Sequence, residues 1–226
     1  MRYYPVQLDV RGRACLVVGG GAVGTRKAHT LVACGARVTV VSPAASAVLK
    51  QMAAQGQIRL IGRSYASADL EGMFLVIGAT DDEALNRRIH ADAEARRVLC
   101  NIADRPECCN FILPSILKRG DLLITVSTSG KSPAFAKALR RRLEGQFGPE
   151  YGAFLDLMGA VRERLLAEHH APEEHKHLFE ALIESDLLEL IRTGRWDEIN
   201  ALLQRVLGRG FRVEELINVN HPTHDP

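Results

Sequence analysis

Three short stretches of this chain combine residue types and spacings that can do chemistry. In the first, Cys15-Leu16-Val17-Val18-Gly19-Gly20-Gly21-Ala22-Val23-Gly24, an apolar run meets glycines in G-x-G-x-x-G order. This order suits a strand, a tight turn and a helix start around a dinucleotide pyrophosphate. Gly19 permits the turn, Gly21 lets backbone approach the phosphates, and Gly24 lets helix and strand sit close. Backbone N–H groups and the positive end of the helix dipole then face the anion, with Ala22 and Val23 in the first turn. A glycine-rich turn without a ligand is the plain alternative. The helical pattern over residues 25–34, its stop at Gly35 and the strand pattern over 37–41 weigh against it. The second stretch is Asn101-Ile102-Ala103-Asp104, where an acid follows a buried-looking strand and precedes Arg105-Pro106. Asp104 stands in the loop where a substrate would meet a nicotinamide ring; position alone equally allows a cap or a loop acid paired with Arg105.

The third stretch is Ser127-Thr128-Ser129-Gly130-Lys131-Ser132-Pro133. Hydroxyls and backbone amides ahead of a proline-started helix make a ready anion site. Lys131, Lys137 and the run Arg140-Arg141-Arg142 add positive charge. The bland reading is a helix N-terminus with a solvated basic face. The hydroxyls outnumber what one cap requires, which favours contact with a substrate or a second subunit.

Elements that position these groups follow from the hydrophobic pattern. After the first strand-helix-strand unit, residues 44–55 read as a helix, 58–61 as a strand, 73–77 as a strand buried on both faces, 81–96 as a helix and 98–100 as a strand. Such alternation predicts an α/β Rossmann-type, mostly parallel sheet with helices on both sides. Ligands bind beyond the carboxyl ends of such strands. There the chain places the glycine turn, Ser42-Pro43-Ala44, Gly78-Ala79-Thr80-Asp81 and the Asp104 loop. One expected residue is missing: an Asp or Glu roughly 20 residues past the glycines usually binds the ribose hydroxyls. Val41-Ser42-Pro43 stands there instead, and Ser42 can bond a ribose. With no arginine nearby for a 2′-phosphate, NAD is favoured over NADP.

From Asn110 the pattern changes. Residues 111–113 and 122–126 read as strands, 134–146 as a helix, and everything from Glu150 as helical. Three apolar stripes read as core: Leu155, Met158, Val161, Leu165 and Leu166; Leu178, Leu182, Ile183, Leu187, Leu190 and Ile191; Trp196, Ile199, Leu202, Leu203 and Val206. The expected organisation is residues 1–109 for the nucleotide-binding domain, 110–147 for a middle segment and 148–226 for a helical C-terminal domain.

Composition excludes several classes. Of 226 residues, 46% are hydrophobic and 25% charged, which is ordinary for a globular chain and rules out disorder. A net charge of +2 from 29 basic and 27 acidic residues argues against nucleic acid as the main partner. No apolar run approaches ~18 residues, and the first residues carry no signal-peptide core, so no membrane partner and a cytoplasmic location are expected. Five cysteines, odd in number and without a C-x-x-C pair, read as free thiols rather than a disulfide framework. The adjacent pair Cys108-Cys109 lacks the histidine or second pair that redox or metal chemistry would want. His169, His170, His175, His177, His221 and His224 lack tight ligand geometry and read as solvated surface, and the last six residues as a frayed tail. No metal site is expected.

Together, LxVRGRxCLVVGGGAVGTRKAxxLxxxGARVTVVSP, VIGATDDEALNRRI, CNIADRPECCNFILPSIL and VSTSGKSPAFAKALR resemble precorrin-2 dehydrogenases, the dehydrogenase module of siroheme synthases. The resemblance is close over residues 3–145 and looser over the helical remainder. It implies NAD-dependent oxidation of precorrin-2 to sirohydrochlorin, with cofactor contacts at Ala22, Val23, Pro43 and Ala44. It also implies a catalytic aspartate at Asp104 that can serve iron insertion as well, and an intertwined homodimer formed through 110–147. Some family members carry a fused methyltransferase; a chain of 226 residues is expected to leave methylation to another protein. The full expected site is Asp104 as catalytic residue; Gly19, Gly21, Ala22, Val23, Gly24, Ser42, Pro43, Ala44 and Thr80 for NAD; and Asn101, Ser127, Thr128, Ser129, Gly130 and Lys131 for substrate. Two other readings stay open. One is a non-catalytic NAD-binding dimer that senses redox state or regulates; the other is an oxidoreductase for a different acidic small molecule. Insertion of iron or cobalt also stays open.

Overall fold

The computed structural model describes residues 2–167 and 175–217. Contacts divide the chain into two compact units, residues 1–113 and 114–226. In the first, β1 (Ala14–Gly20), β2 (Arg37–Ala45), β3 (Ile58–Ile61), β4 (Leu75–Gly78) and β5 (Leu99–Ile102) form a parallel sheet in the order β3-β2-β1-β4-β5. Helices α1 (Ala22–Ala33), α2 (Ala47–Ala54) and α3 (Glu83–Arg96) lie in the connections, because parallel neighbours cannot be joined by a hairpin.

The side chains of β1 show why the sheet is covered on both faces. Cys15 and Val17 pack with Val38, Val40 and Ile77 against Ala28 and Leu31 of α1 and Leu49 and Met52 of α2. Leu16 and Val18 point the other way, onto Val41, Val76 and Cys100 and onto Ile89 and Ala93 of α3. Successive strand residues face opposite sides, so four apolar residues in a row require two apolar layers. Each such fully buried side chain contributes about 1.5–3 kcal/mol relative to exposure. The register sets Val18 beside both Val41 and Gly78. The carboxyl ends of β1, β2 and β4 therefore open side by side, at the point where strand order reverses between β1 and β4.

Two expected boundaries move. Residue 44 does not open a helix: β2 continues to Ala45, where Gly20 pairs with it, and α2 begins at Ala47. Ser46 is its N-cap, with Oγ accepting the Leu49 N–H at 3.2 Å. Residues 111–113 form no strand. Phe111 packs against the first core cluster and its carbonyl receives a hydrogen bond from Asn101 Nδ2 at 3.0 Å, so packing rather than pairing uses this apolar run.

The second unit opens with an antiparallel pair, β6 (Ser115–Arg119) and β7 (Leu122–Val126). Gly120 takes a positive φ of 55° in the two-residue turn, as a hairpin of this length demands. A Cβ there would lie 3.0 Å from Gly152 Cα, which explains two glycines at this meeting of turn and helix. Six helices follow among the described residues: α4 (Pro133–Glu144), α5 (Glu150–Ala167), α6 (Lys176–Ile183), α7 (Leu187–Thr193), α8 (Trp196–Leu207) and α9 (Val213–Leu216). Arg119 donates from Nε to the Phe147 carbonyl at 2.9 Å, placing a cation just past the end of α4. The three stripes converge on one core with Val161, Leu182, Leu187, Ile199 and Leu203 fully buried. Ile183 and Leu166 are exceptions, at 62% and 40% exposure. His175 is also not surface, since it is buried at 5% before α6. His169, His170, His221 and His224, with the rest of the tail, lie outside the described residues. No described helix is long and apolar enough to cross a membrane.

Candidate nucleotide site and acid loop

Backbone contact fixes the turn between β1 and α1. Gly19 has φ +117°, and a Cβ on it would fall 2.1 Å from the Ala79 carbonyl oxygen. On Gly20 a Cβ would meet the Ala44 carbonyl oxygen at 2.2 Å, and on Gly24 the Gly19 carbonyl oxygen at 2.0 Å. These three glycines are required by the protein's own packing. Gly21 differs: a Cβ there would meet nothing within 4 Å. It is the N-cap of α1, makes no side-chain cap, and is followed by a first turn without acids. The N–H groups of Ala22, Val23 and Gly24 thus lack intrahelical acceptors beside open space. A pyrophosphate fits that donor set and that gap.

A second helix start is tied to the first. Thr25 Oγ1 lies 2.8 Å from Ser46 Oγ and 2.9 Å from the Gly21 carbonyl, and the Ser46 N–H donates to the Gly20 carbonyl at 3.0 Å. The positive ends of α1 and α2 therefore both flank the glycine turn. Ser42 is buried, and its hydroxyl donates to the Ala44 carbonyl at 2.7 Å. Its hydrogen shapes the bend that leaves Pro43 and Ala44 exposed. Thr80 is held by α3: buried Asn86 donates from Nδ2 to the Thr80 carbonyl at 2.9 Å and lies 3.1 Å from its hydroxyl.

Asp104 follows β5 in an exposed loop, with φ +60°. Both plain alternatives for it fall away. Arg105 turns to Glu83 (3.7 Å) and Glu107 (4.0 Å), and Arg105 itself occupies the cap position of the short helical turn at Pro106–Cys108. Lys27 on α1 is half-buried: burial, then neighbouring Arg26, lowers its ammonium below its ordinary value, with Asp104 a smaller influence in the opposite direction. Asn101 is directed elsewhere. It is 9% exposed and its amide is committed to the Phe111 carbonyl.

The turn before α4 is held by hydroxyls. Ser127 Oγ accepts the Ser129 N–H at 3.2 Å, Thr128 Oγ1 the Ser132 N–H at 3.1 Å, and Ser132 Oγ the Phe135 N–H at 3.2 Å. The excess of hydroxyls is thus largely used inside the turn. Ser129, Gly130 and Lys131 stay exposed on its outside, with Ser129 at φ +53°.

Sequence reasoning missed Thr25, Lys27, Ser46 and Asn86. Ser46 carried a signal, a serine three residues before Leu49 at a helix start. The other three depend on which elements meet in space. Among the described residues no cluster of three His, Cys, Asp or Glu side chains is arranged to hold a metal ion.

Residues 6–115 match a family model described as NAD(P)-binding, and residues 119–146 one described as sirohaem biosynthesis protein central. Siroheme synthase 1 of Serratia proteamaculans (strain 568) is 36% identical over 207 residues, covering 92% of this chain and 44% of that protein. Siroheme synthase of Thioalkalivibrio sulfidiphilus (strain HL-EbGR7) is 39% identical over 211 residues, covering 93% and 43%. The chain thus spans less than half the length of these relatives. Among solved structures, SirC, precorrin-2 dehydrogenase, superposes with a TM-score of 0.76 at 27% identity, covering 91% of this chain and 99% of that one.

Proposed function

We infer, for a chain that belongs to the precorrin-2 dehydrogenase and siroheme synthase N-terminal family, that it oxidises precorrin-2 to sirohydrochlorin with NAD. The observation that carries this is the open space over Gly21, at a helix start whose first N–H groups lack intrahelical partners. Pro43, Ala44 and Thr80 border the cofactor in this reading. When bound, NAD supplies the acceptor for a hydride. Loss of a hydride and a proton from the reduced macrocycle balances the two-electron oxidation, and Asp104 takes the proton. General-base help of this kind contributes about 10²–10⁴-fold. Proximity of the donor carbon to the nicotinamide contributes more, about 7–11 kcal/mol when the geometry is right.

Precorrin-2 is a polycarboxylate, so its receptor must offer cations and amides. In the second unit we propose the exposed outer side of the turn at Ser127, Thr128, Ser129, Gly130 and Lys131 as a carboxylate contact; the loop carrying Asn101, in the first unit, is proposed separately as a substrate contact. A homodimer through residues 110–147 belongs to the same reading. Its support is an outer hairpin face on which Ile116 (44% exposed) and Leu123 (37%) stand beside Lys118 and Thr125. The cytoplasm is the compartment assigned, supported by five free thiols.

Incubating the chain with NAD and precorrin-2 should form NADH and sirohydrochlorin one for one. Binding of NAD with no NADH formed would instead mark a non-catalytic sensor. Adding Fe²⁺ or Co²⁺ after NADH formation ends reads metal insertion in the same vessel.

A further inference from the structure

The loop bearing Asp104 holds a left-handed residue and follows the edge strand of the sheet, whose Cys100 is paired by Asn110. Asp104 has a left-handed φ of +60°, a conformation that raises the energy of a non-glycine residue and must be held from outside. β5 is the last strand of the sheet, so the outward N–H and C=O of Ile102 have no strand to pair with. Backbone contacts within the loop are few: Arg105 N–H to the Ile102 carbonyl at 3.3 Å and Cys108 N–H to the Arg105 carbonyl at 3.0 Å.

One side chain supplies what is missing. The Cys109 sulfur accepts the Ile102 N–H at 3.2 Å and Asn101 Nδ2 at 3.6 Å. Its own hydrogen lies within reach of the Ile102 carbonyl (3.3 Å) and the Arg105 carbonyl (3.1 Å). Those carbonyls bracket Asp104 on both sides. We infer that Cys109 is the positioning residue of the acid loop, its thiol joining the end of β5 to Arg105 and so fixing where the Asp104 carboxylate stands. Burial raises the Cys109 thiol above its ordinary value, so at neutral pH it keeps the hydrogen that this role needs. The inference rests on the reading of Asp104 as the proton acceptor.

Serine keeps a donor and an acceptor at this position, whereas valine keeps the bulk and removes both. Misplacing a reacting group by about 1 Å can cost about 10²-fold in rate. Cys109→Val should therefore lower kcat at least about tenfold, with KM for NAD changed less than about twofold. Cys109→Ser should stay within about threefold of the parent. Amide hydrogen exchange over residues 103–107 should accelerate in the valine variant and not in the serine variant. Should Cys109→Val not fold, Cys109→Ala gives the same readout. Parental kcat and exchange in the valine or alanine variant would overturn the inference, as would serine losing as much kcat as valine. Asp104→Ala, run alongside, separates the two readings. Full turnover there removes the base assignment, while the exchange data still judge the clamp.

Discussion

The turn before α1 and the turn before α4 both lead a loop into a helix, but different forces hold them. The first is shaped by contact: Gly19, Gly20 and Gly24 each leave only 2.0–2.2 Å to a facing carbonyl oxygen where a side chain would begin. The second is shaped by hydrogen bonds that the hydroxyls of Ser127, Thr128 and Ser132 accept from nearby backbone N–H groups. A turn made by contact tolerates no added atom, so its residue types are nearly dictated. One made by hydroxyls loses a single bond at a time. The comparison also separates scaffold from site within the first turn, because Gly21 alone faces open space.

The largest expected effect tests that separation. Gly19→Ala combines a positive φ with a carbonyl 2.1 Å away and should lower unfolding free energy by about 3 kcal/mol or more, abolishing NAD binding with the fold. Gly21→Ala, at an N-cap with open space beside it, should cost about 1 kcal/mol and lower the melting temperature by only about 2–4 °C. It should nonetheless weaken NAD at least about tenfold by filling the gap. Calorimetry of unfolding and of NAD binding reads both variants. A Gly21→Ala protein that binds NAD normally would remove the cofactor from that gap.

A smaller effect tests the second turn. Ser132→Ala removes one N-cap bond and should cost about 1 kcal/mol, read as a lowered denaturation midpoint, with NAD affinity unchanged. Any loss of NAD affinity would mean that the two turns are not independent. The smallest effect concerns acid stability of the first unit. Arg63, bonding the largely buried Asp69 carboxylate at 2.5 Å, holds it below its ordinary value of 3.8. A carboxyl depressed in the folded state stabilises fully above its unfolded value and loses that contribution as pH falls through the lower folded one. Unfolding of the parent should thus steepen below about pH 4, and Asp69→Asn should flatten that part of the profile.

This contrast explains how much was legible in the chain itself. The sheet, its two covered faces and the glycine turn could be read because contact and period-two burial leave marks on residue type, as in residues 15–24. The end of β2 was misread because Ser42-Pro43-Ala44-Ala45 carries no apolar alternation; pairing of Ala45 with Gly20 decides it. Residues 111–113 looked like a strand because apolar content alone does not distinguish packing from pairing. Asp104 was visible as a candidate, but its release from Arg105 depends on Glu83 and Glu107. Cys109 offered no sequence signal for this role, which lies in three contacts to the end of β5 and one to the Arg105 carbonyl.

The central claim is that NAD and an ionisable loop acid act together on precorrin-2, and it is tested most directly by Asp104→Ala in paired measurements of turnover and NAD affinity. The account predicts that NADH formation from precorrin-2 falls about 10²–10⁴-fold while the Kd for NAD stays within about twofold. Undiminished turnover, or a loss of NAD affinity as large as the loss of rate, would contradict it.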